Sequence, residues 1–234
     1  MIRFFFLNVF IGIYTIVFSL WSLIVSVFDR SNGRNIHFYA ARPWARGILC
    51  VCGVRVTVGG LEKLCGDVPR IYMVNHQSAF DIFTLLAFLP VDFKFILKQE
   101  LMKIPLFGWA MNKAGYIAID REDPRKAIKS MNRAAEKIKQ GASVLIFPEG
   151  TRSEDGHLQS FKKGGFHLAI KSGCEIVPVV IFNSRNISRK GIKRINAGEI
   201  LMKICEPVPV KDYGKRNLNQ LLEQVRGAMM GLLP

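Results

Sequence analysis

Two patterns of apolar and polar positions divide the chain. From Phe4 to Phe28 there are 25 consecutive positions without a charged side chain, more than the about 20 residues a helix needs to cross a hydrocarbon core. Within this run the small and polar residues Asn8, Gly12, Thr15, Ser19, Ser22 and Ser26 recur at spacings of four and three. They therefore line one narrow face of a helix. Such a stripe lets a second helix approach closely, and the next segment, Ile36 to Val51, is the expected partner. It carries Ala40, Ala41, Ala45 and Gly47, while Arg42 and Arg46 on either side of Pro43-Trp44 make it interfacial rather than spanning. A plain anchor with no helix partner is the alternative. The apolar run is longer than a signal peptide's core of about 7–15 residues. Asp29-Arg30-Ser31-Asn32-Gly33 offers no small-x-small cleavage site, so the segment is expected to be retained.

From residue 54 the pattern changes. Short β-branched runs at Val54–Val58, Ile71–Val74, Phe93–Leu97, Tyr116–Ile119, Val144–Phe147, Ile176–Phe182 and Ile200–Ile204 read as strands. Helical patterns separate them, and the clearest is Pro124 to Lys139. Asp123 is its expected N-cap and Gly141 its terminator, with Ala127, Ile128, Met131, Ala134, Ala135 and Ile138 on its apolar side. Strands alternating with helices predict an α/β fold, a mixed and largely parallel sheet flanked by helices. The chain thus divides into a membrane-attachment pair of helices over residues 1–52 and an α/β domain over 53–234.

Charge sharpens this picture. Thirty-three Lys and Arg against 18 Asp and Glu leave +15, in a chain that is 50% hydrophobic. A basic and apolar chain suits an anionic bilayer or a phosphorylated substrate. Nucleic acid is not an expected partner, because the basic residues lack the interleaved aromatics of a stacking surface. Only Arg3 precedes the apolar run, whereas Arg30, Arg34, Arg42 and Arg46 follow it. The positive-inside bias places the remainder on the cytoplasmic face of the cell membrane. The five cysteines have no metal-ligand spacing and read as free thiols of a reducing compartment; neither metal nor cofactor is expected.

The candidate chemistry lies directly after strands, where open α/β sheets place their ligands. Asn75-His76-Gln77-Ser78-Ala79-Phe80-Asp81 follows Ile71–Val74. On a regular helix His76 and Asp81 would stand about 140° apart, but they meet if His76 lies in the loop and Asp81 in the first helical turn. A carboxylate on one imidazole nitrogen raises the basicity of the other, which makes a general base for an alcohol. A histidine used only in capping or packing is the competing reading of this spacing alone. Phe147-Pro148-Glu149-Gly150-Thr151-Arg152 follows the fifth strand, and Arg152 can hold a phosphate in a two-pronged fork; a solvated surface turn is its alternative. Lys98, before Glu100 and Ile104-Pro105-Leu106-Phe107-Gly108-Trp109, adds a cation at the same sheet edge. Val177-Pro178-Val179-Val180 places a proline inside a strand, which predicts an edge or irregular strand.

Together these four ordered blocks resemble the glycerolipid acyltransferase family, and their spacing and the short chain resemble its bacterial lysophosphatidic acid members. The likeness spans about residues 54–210, and the apolar N-terminal pair is similar to a two-helix membrane motif found in the family. The resemblance implies that His76, oriented by Asp81, activates an acceptor hydroxyl for direct attack on an acyl thioester. It implies phosphate binding by Arg152, with Lys98 as a further candidate, and an acceptor pocket shaped by Glu149, Gly150 and Thr151. The implied acceptor is 1-acyl-glycerol-3-phosphate (lysophosphatidic acid), with glycerol-3-phosphate or another lysolipid as alternatives. The implied donor is acyl-CoA or acyl carrier protein, served by a basic surface of Arg125, Lys126, Lys129, Arg133 and Lys137. Two rivals from other classes are a non-catalytic basic membrane protein and a serine hydrolase using Ser78.

Overall fold

A computed structural model describes residues 2–66, 68–120, 123–192 and 194–233. Helix α1 (Ile2–Phe28) leads through α2 (Arg34–Ile36) and a π-helical turn, His37–Ala41, into α3 (Arg42–Cys52). Then follow β1 (Val54–Gly59), β2 (Ile71–Val74), α4 (Phe80–Phe88), β3 (Phe93–Lys98), α5 (Phe107–Lys113) and β4 (Ile117–Ile119). The chain continues with α6 (Pro124–Lys139), β5 (Ser143–Ile146), α7 (Gly164–Ser172), β6 (Ile176–Phe182), α8 (Ser184–Ile187), β7 (Gly198–Ile204) and α9 (Leu218–Met230). Each strand expected from the apolar runs is present, with ends shifted by one or two residues.

The strands form one sheet in the order β1-β7-β6-β2-β5-β3-β4. β2 to β6 are mutually parallel, while β7 joins β6 antiparallel and carries β1 parallel to itself. Alternate residues feed two cores. Tyr72, Val74, Leu145, Val177 and Val179 meet the inner faces of α3 and α4. Ile71, Met73, Val144, Ile146 and Val180 meet α6, α7 and α9. Burial on both faces is why the central strands read as unbroken apolar runs rather than alternating ones.

Pro178 does not mark an edge. β6 lies inside the sheet, between β7 and β2. The Pro178 carbonyl accepts from the Cys205 N–H at 2.9 Å, so its missing N–H would also point toward β7. Pro178 stands opposite Cys205, just past the end of β7 at Ile204, and pairing resumes at the Ile176–Val208 bridge, so only one donor is missing there. A proline is tolerated there without an edge.

Helix α6 is capped as its sequence predicts: the Asp123 carboxylate accepts from the N–H groups of Arg125 and Lys126 at 2.9 and 3.2 Å. Ala134, Ala135 and Ile138 are buried, but Ile128 is 63% exposed. The packed side is centred near Ser130 and Ala134, and Ile128 lies about 120° around the helix from Ala134, off that side.

The polar stripe of α1 faces protein from Thr15 onward, whereas Gly12 is exposed. Ser19 and Ser22 are buried while Phe5, Phe6, Ile13, Val17 and Ile24 are exposed. Thr15, Ser19 and Ser22 donate to their own helix's carbonyls at Ile11, Thr15 and Phe18, so no hydroxyl is left unpaired. The Trp44 indole donates to the Thr15 hydroxyl at 3.2 Å. At Gly47 a Cβ would overlap the Tyr14 ring, so a glycine is required for this approach. Part of the stripe thus meets α3, at Thr15, and α1 also packs on the π-helical turn and on α5, the last a partner the sequence had not suggested. Arg42 and Arg46 both donate to the Ala87 carbonyl, at 3.2 and 3.3 Å. That carbonyl lies in the last turn of α4, where the helix dipole favours cations.

Candidate active site

Because β2, β5 and β3 are neighbours and parallel, the loops leaving their C-terminal ends converge. Asn75 begins the first of these loops and fastens it. Its side chain is buried, donates to the Ile181 carbonyl at 2.9 Å and accepts from the Ile181 N–H at 2.7 Å. His76 follows in extended loop, and Asp81 stands in the first turn of α4. Those different backbone states bring the pair together, as the sequence required. His76 Nδ1 lies 2.8 Å from Asp81 Oδ2.

The same Asp81 oxygen accepts from the N–H groups of Gln77 and Ser78 at 2.7 and 2.8 Å. Asp81 is fully buried. An ionised carboxylate only accepts, so His76 donates from Nδ1 and leaves the Nε2 lone pair for a reacting group. The imidazole stacks on the Phe147 ring at 3.9 Å between centroids and 16° between planes, and Phe147 stacks in turn on Phe95. The ring is therefore fixed by an edge contact and a face contact, with 14% of the side chain exposed.

Glu149 enters from the β5 loop and is 4% exposed. Its carboxylate accepts from the His76 N–H at 2.7 Å and from the Gln159 N–H at 2.9 Å. Burial pushes its pKa up to about 7, with the Asp81 charge pushing the same way, against the lowering effect of the two N–H bonds and Arg226. A return bond from the Ser153 N–H to the His76 carbonyl, 2.7 Å, completes a two-way clasp between the loops. Gly150 makes the intervening turn at φ 76°, and a Cβ there would stand 2.9 Å from Lys162 Cε. The positive φ is what calls for glycine, since the Lys162 side chain can swing aside.

The remaining candidates, Lys98, Thr151 and Arg152, are more exposed than Asp81 and Glu149. Lys98 ends β3, is half exposed, and pairs with Glu100 at 3.3 Å. Thr151 is exposed and Arg152 half-buried; Arg152 forms no ion pair among the described residues. Ser78 is not a nucleophile: it is fully buried, its hydroxyl donates to the Ser188 carbonyl at 2.7 Å and accepts from the Phe80 N–H. Among the described residues no group of His, Cys, Asp or Glu is placed to hold a metal ion. The roles of Asn75, Phe147 and Ser153 escaped the sequence reading. A polar residue directly after a buried strand, as Asn75 is, was the one available signal.

A model of the acyltransferase family matches residues 55–182. A chloroplastic 1-acyl-sn-glycerol-3-phosphate acyltransferase of Arabidopsis thaliana is 42% identical over 177 residues, 75% of this chain and 49% of that protein. One from Brassica napus is 41% identical, over 82% of this chain and 54% of its own length. The chain thus spans about half the length of these two relatives. A 1-acyl-sn-glycerol-3-phosphate acyltransferase of Saccharomyces cerevisiae is 31% identical over 92% of this chain and 72% of its own. The crystal structure of the Thermotoga maritima 1-acyl-sn-glycerophosphate acyltransferase matches with a TM-score of 0.82 and 26% identity, covering 99% of this chain and 96% of that one. The chain belongs to the acyltransferase family.

Proposed function

We propose that this protein transfers a fatty acyl group from an acyl thioester to the free sn-2 hydroxyl of 1-acyl-glycerol-3-phosphate, forming phosphatidic acid. The observation that carries this reading is the His76–Asp81 contact, which leaves His76 Nε2 as a fixed base beside two clasped loops. Nε2 takes the hydroxyl proton as the oxygen forms its bond to the thioester carbonyl carbon. The Asp81 carboxylate stabilises the imidazolium. When the tetrahedral adduct collapses, the C–S bond breaks and the imidazolium returns its proton to the thiolate. Thiols have pKa values near about 8.5, so the leaving group needs little assistance.

Glu149 acts on this base through the main chain, holding the His76 N–H. Arg152, half-buried and without an ion pair among the described residues, is the clamp for the acceptor phosphate, and Lys98 is a second cation for it. The exposed apolar side of α1 continues onto Leu101, Ile104 and Trp109 before and within α5, which supports attachment to a bilayer on that flank. An acceptor that already carries one acyl chain reaches the site from there. The positive-inside count supports a catalytic domain on the cytoplasmic face.

The test is an acceptor panel on purified membranes with labelled acyl thioester. Esterified 1-acyl-glycerol-3-phosphate supports the assignment, and preference for glycerol-3-phosphate or another lysolipid redirects it. Free fatty acid alone indicates a hydrolase, and no turnover a binding protein. His76→Ala is expected to lose about 10²–10⁴ in rate or more while remaining folded. Near-normal turnover in that variant refutes the mechanism.

A further inference from the structure

After β6 the chain turns through α8 and returns to β7, enclosing a cavity of about 530 Å³. Three arginines, Arg185, Arg189 and Arg194, line it together with Ser188, Ile187 and Ile192. The arginines differ in state. Arg185 is already fixed, donating from Nε and Nη2 to the Glu154 carbonyl at 3.0 and 2.6 Å. Arg189 and Arg194 are exposed and form no ion pair among the described residues. Ile187 is buried as a floor, and Ile192 is 52% exposed.

The cavity is tied to the catalytic loops at two points. The Ser188 carbonyl accepts the Ser78 hydroxyl, two residues from His76. Arg185 is bonded to Glu154, next to Ser153, whose N–H holds the His76 carbonyl. The sheet order puts this cavity on the β6–β7 flank of β2, whereas β3 and α5, with the part of α1 packed on α5, lie on the other. The Arg3 end of α1 reaches back to Cys52 before β1.

We propose that the cavity receives the phosphorylated nucleotide of an acyl-CoA donor, while the lipid acceptor enters from the α1–α5 flank. This rests on the acyl-transfer reading above. Guanidinium groups suit phosphate because their paired N–H donors match its oxygens. The two arginines without an ion pair among the described residues meet the phosphates, and the exposed Ile192 gives the adenine an apolar surface. A cavity of this volume lies within the usual range for small-molecule sites, and its concavity suits a nucleotide rather than the surface of a carrier protein. With the nucleotide held here, the flexible pantetheine arm reaches toward His76. The basic face of α6 is then not needed to bind the donor.

The test uses full-length protein in vesicles and the double variant Arg189→Gln/Arg194→Gln, both positions being exposed and outside the folded core. Decanoyl-CoA is compared with S-decanoylpantetheine, which lacks the nucleotide. The KM for decanoyl-CoA is expected to rise roughly tenfold or more on losing two charge-assisted contacts, with kcat, acceptor KM and the S-decanoylpantetheine KM unchanged. Adenosine 3′,5′-bisphosphate should compete with decanoyl-CoA in the native enzyme and lose that competition in the variant. An unchanged KM for decanoyl-CoA, an equal rise for both donors, or turnover with acyl carrier protein only overturns the proposal. Absence of turnover by the native enzyme with every thioester overturns instead the acyl-transfer reading on which it rests.

Discussion

Asp81→Asn separates the charge of the catalytic pair from its geometry. One oxygen, Oδ2, accepts from His76 and from two main-chain N–H groups. An amide NH2 cannot occupy that place, since it would meet two N–H donors head-on. The asparagine oxygen therefore takes the Oδ2 position, and His76 keeps its proton on Nδ1. The NH2 falls where Asp81 Oδ1 lies, buried and without a hydrogen-bond partner, at a stability cost of about 1–3 kcal/mol. What disappears is the negative charge facing the imidazolium of the transition state. At about 4 Å between charge centres and an effective dielectric of about 20, that charge contributes roughly 4 kcal/mol. The rate should fall about 10³-fold. The measurement is kcat and KM in vesicles at fixed pH, alongside thermal unfolding and binding of the acceptor. Acceptor affinity should hold within about twofold, because Asp81 is buried away from it. Asp81→Ala should in addition strand the Gln77 and Ser78 N–H groups and lower stability further. A folded Asp81→Asn enzyme with kcat within about fivefold of native would refute the argument, as would a loss confined to acceptor KM.

Arg152→Lys should raise the acceptor KM with little effect on the donor KM, because one ammonium cannot reproduce a bidentate fork; a change confined to the donor moves Arg152 to the other substrate. Glu149 has a native pKa of about 7 against an unfolded value near about 4.5. The native state holds the extra proton between these values, so stability falls as pH rises through this window, by at most about 3 kcal/mol. Denaturant titrations of Glu149→Gln should lose that slope, and an unchanged slope contradicts the assignment. His37 is the opposite case. Burial first, then Lys94 and Arg42, lower its pKa to about 3, so the unfolded chain binds more protons below about pH 6.5. Stability should therefore fall as pH drops from about 6.5 toward 3, by at most about 5 kcal/mol. His37→Phe, which suits the edge contacts to Phe38 and Phe93, should resist acid better in the same titration.

The sequence by itself determined what depends on neighbours along the chain. Unbroken apolar runs fixed seven strands because the sheet is covered on both faces. Asp123 and Pro124 fixed the start of α6 because caps are local hydrogen bonds. The spacing from His76 to Asp81 was enough to pair them once the loop-to-helix junction was placed between. The stripe of Asn8 to Ser26 pointed to α3 because a helix has only one face at that period. What only the tertiary structure decided was everything set by strand order. The antiparallel return of β7 placed Pro178 inside the sheet, where its carbonyl still bonds the Cys205 N–H and only one ladder donor is lost. The adjacency of β2, β5 and β3 turned Glu149 inward to the His76 N–H and brought Phe147 over the imidazole. Residues 73 positions apart hold that contact, and no periodicity encodes it, because register and crossing in a sheet are settled by packing the whole core together.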